Sequence, residues 1–306
     1  MTDNPPSARL NLSEIKEIDI FVMRRLQELT GGDHKSVFRG AGFDFVGLRD
    51  WQPGDKLSSI DWPQSTMNNF DPLVVREFEE DKNGTILIVA DASLSMDCGI
   101  DGSSSKDIVS RTIATIGLSG VFFQDLTGLF IFDHKYDYGH VKPRMGKNHV
   151  VSCISEYVRP KFPYSAGNRS NMVSKILGRL RRASMVPIIS DFLFPGALDF
   201  VDVISNIKSR HDPFIVLVQN SFLFDLPLVS SGWIECMDAE SGKKTLLSRR
   251  EFGQMSKRVI EYQDGIVQKA KERGIEVVRA GRDKNKFYND LAEFFFNRKT
   301  KRKLVI

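Results

Sequence analysis

Two places in the sequence set oxygen-bearing side chains where an apolar run stops. Asp91-Ala92-Ser93-Leu94-Ser95 follows the run Thr85–Ala90, and Asp191 follows Val186-Pro187-Ile188-Ile189-Ser190. In extended backbone, residues at i, i+2 and i+4 point to one side. That spacing would put the Asp91 carboxylate and the Ser93 and Ser95 hydroxyls on a single face. Asp191 comes to the same rim from a second buried strand, and Ser170 can add a hydroxyl from the loop before a helix expected over Asn171–Ala183. All are hard oxygen donors of the kind Mg²⁺ takes. Two carboxylates at neighbouring strand ends also repel unless a cation sits between them. Ser and Asp after a strand serve equally as helix caps and turn formers. Here, however, the next helix has its own cap in Ser104, with Asp107 three residues on as a capping-box partner. At this level the metal reading and the turn reading both stand.

The elements that must position these residues follow from periodicity. Ile15, Ile18, Val22, Leu26 and Leu29 recur at steps of three and four, which is one face of a helix closed by Thr30-Gly31-Gly32. Residues 36–80 alternate glycine, aromatic and charged residues in short stretches, which implies extended segments and turns. Gln52-Pro53-Gly54-Asp55 has the residues a type II turn needs. From Thr85 onward, strand and helix alternate. Strands are expected over Thr85–Ala90, Gly128–Phe132, Val186–Ile189, Pro213–Val218, Trp233–Met237 and Glu276–Arg279, with a short edge strand over Tyr138–Lys142. Helices are expected from Ser104, with an inner stripe of Val109, Ile113, Ile116, Gly120 and Phe123, and over Asn148–Val158, Leu198–Ser209, Glu251–Arg273 and Lys286–Asn297. Such alternation implies an α/β fold with a doubly wound sheet and flanking helices. In that fold, ligands collect beyond the carboxyl ends of the strands, where strand order reverses.

Composition narrows the function classes. Of 306 residues, 41% are hydrophobic and 27% charged, which suits a soluble globular chain. The 43 basic residues are offset by 39 acidic ones, and a net charge of +4 is too mild to imply nucleic acid. The locally basic run Arg298, Lys299, Lys301, Arg302, Lys303 reads first as a solvated helix end. The longest apolar runs are of strand length, far short of a membrane span. The N-terminal stretch carries Asp3 and no apolar core, so no signal peptide is expected. Cys98, Cys153 and Cys236 have no CxxC spacing and fit a reducing compartment. A cytoplasmic location is the expectation.

Asp91-Ala92-Ser93-Leu94-Ser95-Met96 resembles the first loop of the metal-ion-dependent adhesion site of von Willebrand factor A domains. The segment ahead of it resembles one branch, the domain of unknown function 58 family, through Gly47-Leu48-Arg49-Asp50-Trp51-Gln52-Pro53-Gly54-Asp55, Ile60-Asp61-Trp62 and Arg76-Glu77-Phe78-Glu79-Glu80. Ser190-Asp191-Phe192, Arg210-His211-Asp212, Asp238 and Glu240-Ser241-Gly242 add to the likeness. The resemblance implies a von Willebrand factor A-like domain over 84–297, preceded by a β-rich family-specific segment over 35–83, with a tail and helix at 1–34 and a basic tail at 298–306. It implies Mg²⁺ or another divalent cation held by Asp91, Ser93, Ser95 and Asp191, with Ser170 at the second-loop position. That position is usually threonine followed, in that loop, by an aspartate, where this chain has Asn171. The family's Asp-Trp-Lys reads Asp61-Trp62-Pro63 here, so any role of that lysine is not carried over. Members resemble partners of MoxR-type AAA+ ATPases. The implied function is a non-enzymatic, metal-dependent protein-binding adaptor or scaffold that accepts an acidic residue from such an ATPase.

The alternative is a metal-dependent hydrolase or phosphatase using the same residues, which needs a general base or second metal near the rim. Arg39-Gly40-Ala41-Gly42 follows no clear strand and opens no helix, which argues against a phosphate loop. His149 and Cys153 stand about one helical turn apart, and a buried structural cysteine is the simpler reading. The charges Arg49, Asp50, Asp55, Asp61, Arg76, Glu77, Glu79 and Glu80 fit either a partner surface or an internal ion-pair network.

Overall fold

The computed structural model describes residues 11–30, 44–79, 84–97, 99–100, 103–133, 136–159, 165–166, 174–176, 178–180, 182–219, 233–237, 244–281 and 284–303. The chain divides into two compact units: Asp33–Asn83, and Met1–Gly32 together with Gly84–Ile306.

The larger unit begins with helix α1 (Leu12–Leu29). Asn11 caps it by accepting from the Glu14 amide, and the Glu14 side chain returns the bond in a capping box. Ile15, Ile18, Val22 and Leu26 form its buried stripe.

The smaller unit pairs β1 (Asp44–Asp50) antiparallel with β2 (Val74–Glu79). Between them lies a short helix, α2 (Trp62–Met67), where periodicity implied only extended chain and turns. Six residues are too few to show a stripe. The signals are Asp61, whose side chain accepts from the Gln64 amide, and Pro63 in the first turn, where a missing N–H leaves nothing unpaired. The expected turn is present: the Asp55 amide reaches the Gln52 carbonyl at 3.0 Å, and Gly54 has φ 112°. The Arg49 guanidinium grips both oxygens of Asp55 at 2.7 and 2.8 Å, which holds that carboxyl down at about 2. Arg76 binds Asp61 at 2.8 Å. Four of the candidate surface charges thus bind one another inside this unit.

The larger unit is built on a mostly parallel sheet. Strands β3 (Thr85–Asp91), β6 (Leu126–Phe132), β9 (Met185–Ser190), β10 (Asp212–Val218) and β13 (Glu276–Ala280) run parallel in the order β13-β10-β9-β3-β6. The near-continuous apolar sequences of β3, β6, β9 and β10 are buried on both faces, as interior parallel strands require, while β13 at the edge is only partly buried. The short edge strand expected over Tyr138–Lys142 is the nine-residue β7 (Tyr136–Arg144), antiparallel to β6. It is not the outermost strand, because the two-residue β8 (Ser165–Ala166) pairs on its far side. Outside this sheet, β4 (Gly99–Ile100) and β5 (Ser103–Ser104) form a two-residue ladder. A ribbon pairs β11 (Trp233–Met237) with β12 (Lys244–Ser248), a strand the sequence reading did not place.

Helix α3 (Ser105–Phe122) opens at the expected Ser104–Asp107 capping box. It is buried almost all round rather than along one stripe, because α1, α4 (Lys147–Val158) and α7 (Lys284–Lys303) cover the side away from the sheet. Its interior hydroxyls, Ser110, Thr112, Thr115 and Ser119, each donate to the carbonyl four residues back, so none is left unpaired. Gly120 lets the helix meet β3: a Cβ there would lie 2.8 Å from the Ile86 Cδ1. Helices α5 (Ala197–Ser205) and α6 (Arg249–Glu272) serve a second cluster, where Leu87 and Val89 meet Phe200, Val201, Ile204, Ile266 and Ala270.

Helix α7 is longer than expected and takes in the basic run as far as Lys303. Two of its cations, Arg298 and Lys299, are engaged within the fold. Arg298 pairs with Asp212 and Glu276 and lies over the Phe214 and Phe294 rings, and Lys299 pairs with the buried Asp125. Helix α7 also holds α1, through Arg25 to Glu293 at 2.9 Å and an edge-on contact of Phe21 with Tyr288. Among the described residues no helix is long and apolar enough to cross a membrane.

Candidate metal centre

The chain leaves β3 for β6 in one direction across the sheet and builds β9, β10 and β13 in the other. Strand order therefore reverses between β3 and β9, and the crevice at their carboxyl ends is where such sheets bind ligands. Asp91 is the last residue of β3, and Asp191 directly follows the last residue of β9. The structure thus brings together the two carboxylates that the sequence placed at strand ends.

Ser93 and Ser95 arrive by a different route from the one their spacing suggested. Extended backbone ends at Asp91. The Ala92 amide makes one more sheet-like bond, to the Phe132 carbonyl at 2.7 Å, and Leu94–Asp97 then coils into a 3₁₀ turn. The turn, rather than strand alternation, sets the Ser93 and Ser95 hydroxyls 3.0 Å apart. Asp91 accepts the Ser93 amide on Oδ1 at 2.8 Å, and Asp191 accepts the Leu193 amide on Oδ1 at 2.9 Å. Ser170 lies outside the described residues, as does Cys98.

Both carboxylates are deeply buried, Asp91 at 1% and Asp191 at 6% relative exposure. Burial raises the Asp91 acid well above its ordinary value. Bonds from Ser190 and Ser93 offset part of that rise, and the charge of Asp133 adds to it. Asp191 is pushed up to about 7, first by burial and then by the charge of Asp91. Among the described residues no lysine, arginine or histidine forms an ion pair with either. A pair of buried, mutually repelling carboxylates beside two hydroxyls is a donor set that suits a small hard dication. Among the described residues, no three His, Cys, Asp or Glu side chains cluster to hold a metal. The oxygen atoms gathered at this rim are two carboxylates and the Ser93 and Ser95 hydroxyls.

Four residues outside the expected ligand set stand at this rim, Ser190 having been read only as part of the family likeness. Ser190 donates to Asp91 Oδ2 at 2.5 Å. Tyr157, fully buried on α4, donates to the Asp91 carbonyl at 2.7 Å. Gln263 on α6 donates to the Asp191 carbonyl at 3.1 Å. Asp133 follows the end of β6, and its strand-end position was the one available signal. Away from the rim, Cys153 is buried with its sulfur 3.8 Å from His149 Nε2, and burial pushes its thiol up to about 12. That is the inert, structural cysteine.

Fold and site together define an α/β chain with an acidic, hydroxyl-lined crevice at the switch point of a mostly parallel sheet. The chain belongs to the family described as "Protein of unknown function DUF58", whose model matches residues 47–261, a span that includes Asp91 and Asp191. An uncharacterized protein of Mycobacterium tuberculosis is 26% identical over 232 residues, which cover 74% of this chain and 70% of that protein, and one of Mycobacterium bovis matches to the same extent. Among solved structures, BatB from Bacteroides thetaiotaomicron aligns at 12% identity and a TM-score of 0.42, covering 70% of this chain and 98% of that one. An aerotolerance-related membrane protein from Bacteroides fragilis aligns at 12% identity and a TM-score of 0.45, covering 71% and 100%.

Proposed function

We propose that this chain is a metal-dependent protein-binding adaptor or scaffold of the von Willebrand factor A type, working with a MoxR-type AAA+ ATPase. The observation that supports it most is the approach of two buried carboxylates, Asp91 and Asp191, both held above their ordinary proton affinity by burial and Asp191 further by the charge of Asp91, with no basic partner among the described residues. Asp91, Ser93, Ser95 and Asp191 would hold Mg²⁺ or another divalent cation, with Ser170 as a fifth ligand. When bound, the cation supplies a positive centre that can take a carboxylate oxygen from another protein. The chain's own part is to fix the donors. The Ser93 and Leu193 amides tether the two carboxylates, and the Leu94–Asp97 turn brings the two hydroxyls together. Five protein groups fall short of the octahedral shell that Mg²⁺ demands, which leaves room for an acidic residue of the partner. The choice of ATPase rests on the resemblance of Gly47–Asp55 and Arg76–Glu80 to the family hallmark.

The test is a titration of the full chain against the MoxR-type ATPase of its own organism, with Mg²⁺ and with EDTA. Binding should weaken ten-fold or more in EDTA, in Asp91→Ala, and in Ser93→Ala and Ser170→Ala. Equal affinity in Mg²⁺ and EDTA would move the interface away from the metal site, to the charged 49–80 segment.

A further inference from the structure

Ser190 carries a polar interaction that the ligand set does not require. The last registered pair between β3 and β9 is Ala90 with Ile189. One step further lie Asp91 and Ser190, and side chains at paired positions of adjacent strands share a face. The Ser190 hydroxyl is fully buried and has two partners: it accepts the Phe192 amide at 2.9 Å and donates to Asp91 Oδ2 at 2.5 Å. A hydroxyl has one proton to give. The amide occupies one of its two lone pairs, and toward the ionised carboxylate, which can only accept, the hydroxyl must be the donor. Phe192 has φ 57°, a left-handed backbone uncommon for a bulky residue, and its amide serves Ser190 within that turn. Asp91 is thereby tethered at both oxygens, by Ser93 on Oδ1 and by Ser190 on Oδ2.

We infer that Ser190 is a positioning residue for the metal site: through its bond to Oδ2 it locks the Asp91 carboxylate in one orientation and so sets the affinity for the cation. This deepens the adhesion-site reading and rests on it. With Asp91 ionised, as a metal ligand must be, the bond is charge-assisted and buried, the class of hydrogen bond that orients a ligating group most firmly. Partners that orient metal ligands in this way change metal affinity by about 10–100-fold when they are removed.

The experiment uses the full chain and Mg²⁺ alone, titrated by calorimetry well below the melting temperature, with melting in EDTA measured in parallel. Ser190→Ala should raise the Mg²⁺ Kd about ten-fold or more among folded molecules. Ser190→Thr, which keeps a hydroxyl, should restore it. Should Ser190→Ala fail to fold, Ser190→Cys is close in size and a weak donor, and it should show the same loss. A merely structural role would lower the EDTA melting temperature and leave Kd alone. An unchanged Kd in folded Ser190→Ala or Ser190→Cys therefore overturns the inference and leaves the metal site standing. A wild-type chain that takes up no Mg²⁺ overturns both.

Discussion

The carboxamide nitrogen of Gln263 donates to the main-chain carbonyl of Asp191 at 3.1 Å. The same nitrogen reaches the Val218 carbonyl at 3.2 Å, and the Gln263 oxygen accepts from Gln219 at 3.1 Å. One buried side chain of α6 thus ties the ends of β9 and β10 together beneath the rim.

Replacing it gives the first prediction. Gln263→Met keeps the length and removes the donor that the two carbonyls share. Buried groups that lose a hydrogen-bond partner cost about 1–3 kcal/mol each, so urea denaturation should show a loss in that range. A change inside about 0.5 kcal/mol, the usual span for substitutions at the surface, would mean that the tie is dispensable.

Metal should stabilise the fold by linkage. At Mg²⁺ a hundred-fold above Kd the gain is about 2.7 kcal/mol, or ~5–10 °C in Tm for a unit of this size. Asp91→Ala and Asp191→Ala should each abolish the rise and still melt cooperatively. Thermal scans with and without EDTA measure it, and an unchanged rise in both variants would place the ion elsewhere.

The metal-free chain should respond to pH through Asp191. Its folded value of about 7 lies above the ordinary 3.8, so between these values the native state holds a proton that the unfolded chain has released. The unfolded state then binds fewer protons, and stability falls as pH rises. In EDTA the melting temperature should drop from about pH 4 to pH 7, relative to Asp191→Asn, which lacks this group. Saturating Mg²⁺ should flatten that difference, because it favours the ionised pair. A wild-type and Asp191→Asn difference that stays constant with pH in EDTA would contradict the burial argument.

Cys153 should resist alkylation at pH 8 while the chain is folded, since burial pushes its thiol up to about 12 and encloses it. Mass spectrometry after iodoacetamide should find it modified only in denaturant. Rapid labelling of the native chain at Cys153 would show that the α4 face opens.

What the sequence disclosed, and what it hid, divides by the range of the interaction. Ser104 with Asp107 is a local signal and marks the start of α3 to the residue. Asp91 and Asp191 stand out because each is a charged residue at the point where an apolar run stops. Ser190 reads as one more residue of its strand. Only the register of β9 against β3 carries it to Asp91, and register is set by packing rather than by neighbours in the chain. Tyr157 and Gln263 likewise act across elements, from the buried sides of α4 and α6. The Leu94–Asp97 turn was hidden for another reason: a DxSxS string fits an extended strand and a coiled turn equally well. Helix α2 is too short for its periodicity to be read.

The contact of α1 with α7 bears on how the chain comes off the ribosome. Helix α1 is synthesised well before α7: its partners Glu293 and Tyr288 lie far along the sequence, Glu293 268 residues beyond Arg25. The outer side of α3 stays partly bare until α7 has emerged, however early β3 and α3 take shape. A nascent chain stalled before Lys284 would expose that apolar flank to other chains, and such exposed surface is what drives misassembly during synthesis. Helix α1 can meet α3 early, yet it waits most of the chain's length for its second neighbour.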